Sequence, residues 1–352
     1  MTAESSKIDI KDLSRQQLID WLAAGGRRAF RADQILRWVY LRQTDRFDQM
    51  TNLGKTLRDE MQAAFDNPRL EMVHEVESTD GSRKRLLRLG DGQHIETVLI
   101  PEKDHFTLCI SSQVGCHQGC RFCMTARGGL VRNLSAGEII SQVRDVQQQV
   151  HAQDGMVLTN IVFMGMGEPL ANYANLVQAL SVITDGDWGL KFSARRVTVS
   201  TAGLVPKLAD LGRDTRVNLA VSLNATDDDT RTRLMPINRR YPIAELMAAC
   251  RRYPLPPRRK ITFEYILMRG INDSMADARR LVKLLRPIRA KINLIPFNEH
   301  PGSAFSRPGP DRIRDFQECL ADHHFTAIVR HSKGQDIGAA CGQLRTMSKT
   351  AV

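Results

Sequence analysis

From residue 105 onward the chain repeats one rhythm, a short apolar run followed by a helical stretch. The runs TLCISS, NIVFMG, RRVTVST, NLAVSLN, ITFEYILM, KINLIPFN and TAIVRH carry it. The first helical stretch opens at the capping box Ser135-x-x-Glu138 and continues through Ile139, Ile140, Val143, Val146 and Val150. Strands separated by helices run parallel, because each crossover returns the chain to the same end of the sheet, and a parallel sheet needs helices over its faces. The fold class is therefore α/β. Six or seven such units suit an open or closed barrel whose ligands collect at the carboxyl ends of the strands. A doubly wound open sheet is the alternative that strand count leaves standing.

Two different patterns precede this region. The first 65 residues read as helices, with apolar residues at helical spacing in QQLIDWLAAG and ADQILRWVYLR. From about 69 to 100 the pattern alternates, in RLEMVHEVES, RKRLLRLG and HIETVLIP, with turns at Asp80-Gly81 and Asp91-Gly92. These strands predict a small sheet that links the helices to the alternating region.

Charge narrows the range of partners. Fifty Lys and Arg against 39 Asp and Glu give a net charge of +11. Basic clusters occur at Arg27, Arg28 and Arg31, at Arg195 and Arg196, at Arg239 and Arg240, and from Arg251 to Lys260. Such a balance favours a polyanionic partner such as nucleic acid. The start, MTAESSKIDIKDLSRQQ, has no basic segment followed by an apolar core, and no uncharged apolar run reaches the roughly 18 residues of a membrane span. A cytoplasmic protein is expected. That compartment is reducing, so seven cysteines clustered at one place point to metal binding or catalysis before disulfides.

Three of the seven stand in GCHQGCRFCMTARGG, as Cys116, Cys120 and Cys123. A structural zinc site prefers four protein ligands in paired C-x2-C knuckles, and here the second knuckle is missing. A 4Fe-4S cluster held by three thiolates leaves one iron open to an outside molecule. That is a chemical site rather than a closed electron carrier.

C-x3-C-x2-C directly after the first strand of an alternating domain resembles the radical S-adenosylmethionine (SAM) signature. CISSQVGCHQGCRFCMT, VRNLSAGEI, FMGMGEPLAN, RRVTVSTAG, VSLNA, INLIPFN and KGQDIGAACGQL together resemble the RlmN family of dual-specificity RNA adenosine methyltransferases, over nearly the whole chain. The resemblance implies a partial (βα)6 TIM-like barrel with a helical N-terminal accessory domain. Residues 1–65 would be an RNA-binding extension, 66–104 a β linker carrying Glu96, 105–344 the radical SAM core with its C-terminal cysteine loop, and 345–352 a tail.

The same resemblance implies roles. Cys116, Cys120 and Cys123 would hold the 4Fe-4S cluster, and Gly167, Glu168, Ser200, Ser222, Leu223, Asn224 and Asn298 would contact SAM. Family members often have histidine where this chain has Asn224. Adenine carbon 2 is electron-poor, so an ordinary displacement should fail there. In the family one SAM methylates a cysteine, matched by Cys341, and a radical made from a second SAM activates that methyl for addition to the ring. Cys109 is implied as the thiol that attacks the sulfur of Cys341 and releases product through a transient disulfide, and Glu96 as proton acceptor. From their surroundings alone, the lesser alternatives are that Cys109 is a buried strand thiol and Glu96 the outward residue of an alternating strand. The glycine-bearing loop around Cys341 favours an exposed thiol.

Cys250 and Cys319 lie in helical stretches without partner spacing, and His117 reads as solvent-facing. The implied partners are 23S rRNA, at one adenosine of the peptidyl-transferase centre, and certain tRNAs, at the adenosine beside the anticodon. An electron donor such as flavodoxin, no membrane and a monomeric state complete the expectation. The target base must be a loop nucleotide or a flipped one. Two alternatives stand: the Cfr-like relative that methylates carbon 8, against which Pro169 after GMGE weighs, and a non-enzymatic zinc-bearing RNA-binding protein.

Overall fold

A computed structural model of the chain describes residues 7–300 and 302–345. Of the tail expected at 345–352, all but Arg345 lies outside the described residues. In chain order the strands are β1 (Ile8–Asp9), β2 (Phe65–Asp66), β3 (Glu71–Glu77), β4 (Arg83–Arg88), β5 (His94–Pro101), β6 (His105–Cys109) and β7 (Gln113–Gly115). They continue with β8 (Leu130–Asn133), β9 (Val157–Phe163), β10 (Val197–Thr201), β11 (Asn218–Ser222), β12 (Ile261–Leu267), β13 (Ala290–Pro296) and β14 (Ala327–Val329). The helices are α1 (Arg15–Ala24), α2 (Phe30–Leu36), α3 (Lys55–Ala64), α4 (Met124–Arg127), α5 (Ala136–Asp154) and α6 (Tyr173–Thr184). They continue with α7 (Leu208–Asp214), α8 (Asp228–Leu234), α9 (Ile243–Arg252), α10 (Met275–Leu285) and α11 (Pro310–Asp322).

Ten strands form one sheet in the order β14-β13-β12-β11-β10-β9-β6-β5-β4-β3. From β6 to β14 every pairing is parallel, and each strand is added outside the last. A doubly wound sheet reverses its order at a switch point, and this one never does. The order is therefore that of a barrel wall, left open because β14 and β3 are its two edges. Helix α5 begins at the expected capping box: the Ser135 hydroxyl accepts from the Glu138 N–H and the Glu138 carboxylate accepts from the Ser135 N–H.

The alternating segment departs from the expected separate sheet. Strands β3, β4 and β5 are antiparallel continuations of the barrel wall, because β5 pairs with β6 (Val98 opposite Cys109). Antiparallel pairing needs only tight turns, and Gly81 and Gly92 supply them with φ of +80° each. The N-terminal region is helical as the spacing predicts, but the two-residue strands β1 and β2 tie its ends together in parallel. Two residues are too few for an alternation signal to register.

The helical region is docked on α5 by a buried charge. Arg144 is fully buried; it donates to the Val39 carbonyl at 2.9 Å, to Asp45 at 2.5 Å and to Asp145 at 3.3 Å. Asp12 adds a second tether, accepting the Gly137 N–H at 2.7 Å. Arg144→Met would take the buried donor from the Val39 carbonyl and leave Asp45 and Asp145 to Arg69 alone, at 2.6 and 3.5 Å. It should therefore lower unfolding stability by about 1–3 kcal/mol, read as a shift of the urea midpoint, with Arg144→Lys intermediate. A midpoint equal to the parent's would show that the docking does not depend on this charge.

Candidate active site

The cysteine loop is the segment closed off by the hairpin of β7 and β8, which the alternating pattern did not announce. Its neck is Gly115, at φ +76°, where an added Cβ would meet the Gly129 carbonyl oxygen at 2.0 Å. The Cys116 N–H donates to that carbonyl at 2.8 Å. Only glycine permits both the left-handed backbone and this approach. Phe122, between the second and third cysteines, is buried in a small apolar cluster with Leu234, Met235, Ile266, Ile295 and Phe297. The loop backbone is fixed further by the Arg121 N–H on the Leu234 carbonyl (3.0 Å) and the Met124 N–H on the Gly342 carbonyl (2.7 Å).

Cys116, Cys120 and Cys123 all line one cavity, of about 870 Å³ including its solvent-open mouth. Burial pushes the Cys116 thiol up to about 12 and the Cys120 thiol upward too, with the neighbouring thiols acting in the same direction. No three cysteine, histidine or carboxylate side chains converge tightly enough for a single bare metal ion among the described residues. Three thiols that share one wall, with Cys116 and Cys120 costly to ionise without a cation, fit a polynuclear iron-sulfur centre, whose positive irons stabilise thiolates.

Gly167, Glu168, Ser200 and Ser222 line the same cavity. They sit at or just beyond the carboxyl ends of β9, β10 and β11. Gly167 has φ +100°, and a Cβ there would come within 2.6 Å of the Gln113 Cβ. Glu168 is buried; it accepts the Ala202 N–H at 2.7 Å and the Leu170 N–H at 3.1 Å, while its own N–H donates to Gln113 at 2.8 Å. Burial raises its carboxyl above the ordinary range despite those donors.

Three further residues expected to contact SAM do not line this cavity in the ligand-free structure. Leu223 is buried behind the wall, its N–H donating to the Glu264 carbonyl at 3.0 Å. Asn224 adopts the left-handed conformation (φ +57°), accepts the Ile266 N–H at 2.8 Å on Oδ1 and accepts from Asn272 Nδ2 at 2.7 Å on its carbonyl. Its Nδ2 donates to the Met235 sulfur at 3.3 Å, and Met235 lines the cavity. Asn298 donates to the Cys341 carbonyl at 3.2 Å and accepts from Gln335 Nε2 at 3.1 Å, so it pins the cysteine loop rather than lining a cavity.

Cys341 lines this cavity and also a second one of about 1390 Å³, where Cys109 stands. The residue is exposed, yet the solvent it meets is that of a cavity deep in the molecule. Burial pushes its thiol up to about 11, with the Glu264 carboxylate acting in the same direction. The Cys109 thiol is also pushed up, by burial first and then by Cys341. Both thiols are free. The loop carrying Cys341 is held by the β3–β4 hairpin: the Gly334 N–H donates to Asp80 at 2.8 Å, Ser78 donates to Asp336 at 2.6 Å and Lys84 donates to the Gly338 carbonyl at 3.3 Å.

Glu96 is not the outward residue of its strand. It is buried on β5, where its Oε2 accepts the Arg345 N–H at 2.9 Å and its Oε1 lies 3.4 Å from Lys84 Nζ. Burial raises its carboxyl, which brings a base closer to neutral pH. It lines neither of the two cavities, because the Arg345 segment caps it.

One residue escaped the motifs. Glu264 on β12 is buried, lines both cavities and accepts from Asn293 Nδ2 at 2.9 Å. An acid inside the otherwise apolar run ITFEYILM is the signal that could have found it, since a buried acid needs a reason. His117 is exposed, as expected. Cys250 is buried in α9 and Cys319 half-buried in α11, and neither lines either cavity.

Known proteins give the same picture. Residues 8–66 match the family model described as the ribosomal RNA large subunit methyltransferase N-terminal domain, and residues 110–282 match the radical SAM superfamily. The chain is 57% identical over 336 residues to the dual-specificity RNA methyltransferase RlmN of Desulfosudis oleivorans, covering 96% of this chain and 90% of that one. It is 52% identical to the RlmN of Geotalea uraniireducens, over 98% of this chain and 99% of that one. Among solved structures, a radical SAM methyltransferase from Sphaerobacter thermophilus superposes with a TM-score of 0.89 at 47% identity, covering 96% of this chain and 99% of that one. With a barrel wall that carries three cysteines at its carboxyl end, and relatives alike from end to end, the chain belongs to the RlmN family of dual-specificity RNA methyltransferases.

Proposed function

We propose that this enzyme methylates carbon 2 of adenosine in 23S rRNA and in tRNA through a methylated Cys341, using two SAM per turnover. One observation carries the reading: Cys341 stands on the walls of both cavities, with the three cysteines of the loop on one side and Cys109 on the other. Cys116, Cys120 and Cys123 would hold the 4Fe-4S cluster, which when bound supplies the electron that splits the SAM sulfonium into a carbon radical.

The chain's own residues do the rest. Gly167 lets the chain pass tightly against Gln113 at the cavity wall, and Glu168 keeps lone pairs free to receive the SAM ammonium. Ser200 and Ser222 offer hydroxyls to its polar groups. Cys341 receives a methyl on the side of the first cavity and presents it to a base held in the second. Lys291, Arg330, His331 and Lys333 line that second cavity and suit the phosphates flanking a flipped nucleotide. Glu96 takes the ring proton once the Arg345 segment shifts from its carboxylate. Cys109 attacks the Cys341 sulfur, the methylated base leaves, and the resulting disulfide is reduced again by two electrons from outside.

Leu223, Asn224 and Asn298 serve this site indirectly, by shaping the strand-end loops. Residues 1–65 act as an RNA grip, 66–104 as the clamp of the cysteine loop and 105–344 as the catalytic barrel. No helix among the described residues is long and apolar enough to cross a membrane. RNA substrates and reduced thiols fit a cytoplasmic monomer served by a donor such as flavodoxin.

The test is mass spectrometry of nucleosides from rRNA and tRNA fragments treated with the reconstituted enzyme. The expected product is 2-methyladenosine in both. Appearance of 8-methyladenosine instead would favour the Cfr-like reading, and no methylated nucleoside at all would remove both.

A further inference from the structure

Arg231, on α8, is fully buried, and its guanidinium touches only neutral oxygens. Nε donates to the Leu223 carbonyl at 3.1 Å, Nη2 to the carbonyls of Ala202 and Ser222 at 2.8 and 3.2 Å, and Nη1 to Asn238 Oδ1 at 3.0 Å. No carboxylate lies within ion-pair distance of it among the described residues. Asp228, at the start of the same helix, acts on it only from a distance, its carboxylate being taken by Asn238 Nδ2 at 2.9 Å and the Ile243 N–H at 2.8 Å. A buried charge with no counter-ion in contact is disfavoured, and chains avoid it unless its field is used.

The field of Arg231 falls on the cysteine cavity. Ala202 and Ser222, two of the residues whose carbonyls it grips, are on that cavity's wall together with Cys120. The cysteine loop docks on the same helix, through the Arg121 N–H on the Leu234 carbonyl at 3.0 Å. Arg231 itself is not on the wall, so it faces the cavity through one layer of backbone.

We infer that Arg231 is the counter-charge of the iron-sulfur centre, raising its reduction potential from behind the wall without touching cluster or SAM. The inference rests on the cluster reading above. A cluster bound by three thiolates is anionic and becomes more so on taking an electron. Net charge around a cluster is one of the levers that set its potential, and a fixed cation in a dry interior acts with little screening. The backbone carbonyls that bind the guanidinium hold it in place, which makes Arg231 a positioning residue for electron transfer.

The test is an anaerobic redox titration, followed by electron paramagnetic resonance, of full-length reconstituted parent, Arg231→Gln and Arg231→Lys. For Arg231→Gln the reduction equilibrium should fall at least tenfold, which is 59 mV more negative for one electron. Arg231→Lys should stay near the parent. A Gln variant loaded with the parent's iron and sulfide, yet with an unmoved potential, overturns the inference. Should the Gln variant fail to load, the exchange Asp228→Asn with Asn238→Asp decides, because it leaves Arg231 an acceptor on Nη1 but pairs its charge. The potential should again become more negative, and an unmoved one overturns the inference. A parent that holds no iron and sulfide would instead defeat the functional reading itself.

Discussion

Replacing Cys341 with alanine should abolish RNA methylation while leaving the cluster and reductive cleavage of SAM in place. The separation follows from where the thiols stand. Cys116, Cys120 and Cys123 hang from the β7–β8 hairpin, whereas Cys341 arrives on a C-terminal loop held by Asp80, Lys84 and Asn298. The two sets share a cavity but not a scaffold. Loss of a covalent nucleophile costs roughly 10⁴-fold or more in rate, and among the described residues no second thiol opens onto both cavities. Iron content, SAM cleavage and methylated nucleoside would be measured on one preparation. Methylation within tenfold of the parent would mean that the methyl does not travel through Cys341.

Cys109→Ala should fail later and visibly, by accumulating enzyme covalently joined to RNA through Cys341. Cys109 lies at the end of β6 on the wall of the second cavity, beside the place where the joined base would sit. Its thiol is pushed up by burial, so it is a poor nucleophile at rest and becomes competent only when a base withdraws its proton. The adduct would be seen as a shifted band on a denaturing gel and would limit the enzyme to at most a single turnover. Reduced, reconstituted Cys109→Ala enzyme that turns over repeatedly without an adduct would assign release to another group.

Much of the scaffold is legible in the sequence because strands buried on both faces read as continuous apolar runs. All seven runs become the parallel strands β6 and β9 to β14, and Ser135 and Glu138 do open α5. The barrel order needed the structure, since strand count is the same for a sheet that reverses and one that does not. Pairing partners are equally silent: nothing in HIETVLIP says that β5 joins the barrel wall, and three-residue β7 is too short to alternate. Within the site, residues fixed by one loop's chemistry, such as the three cysteines, were readable from spacing alone. Glu264 and Arg231 were not, because their importance lies in what surrounds them: two cavities for the first and a burial without a contacting carboxylate for the second. Asn224 was legible only in part. A polar residue at a strand end looks like a ligand contact, but the pattern does not announce its left-handed backbone or its hydrogen bonds with Ile266 and Asn272.

The most direct measurement is iron and acid-labile sulfide per chain, with nucleoside analysis of treated RNA, on anaerobically reconstituted parent and on serine variants at positions 116, 120 and 123. The account predicts a brown parent carrying one 4Fe-4S cluster and methylating RNA, and variants that lose both together. A colourless parent that binds zinc, or serine variants that keep their iron and still methylate RNA, would contradict it.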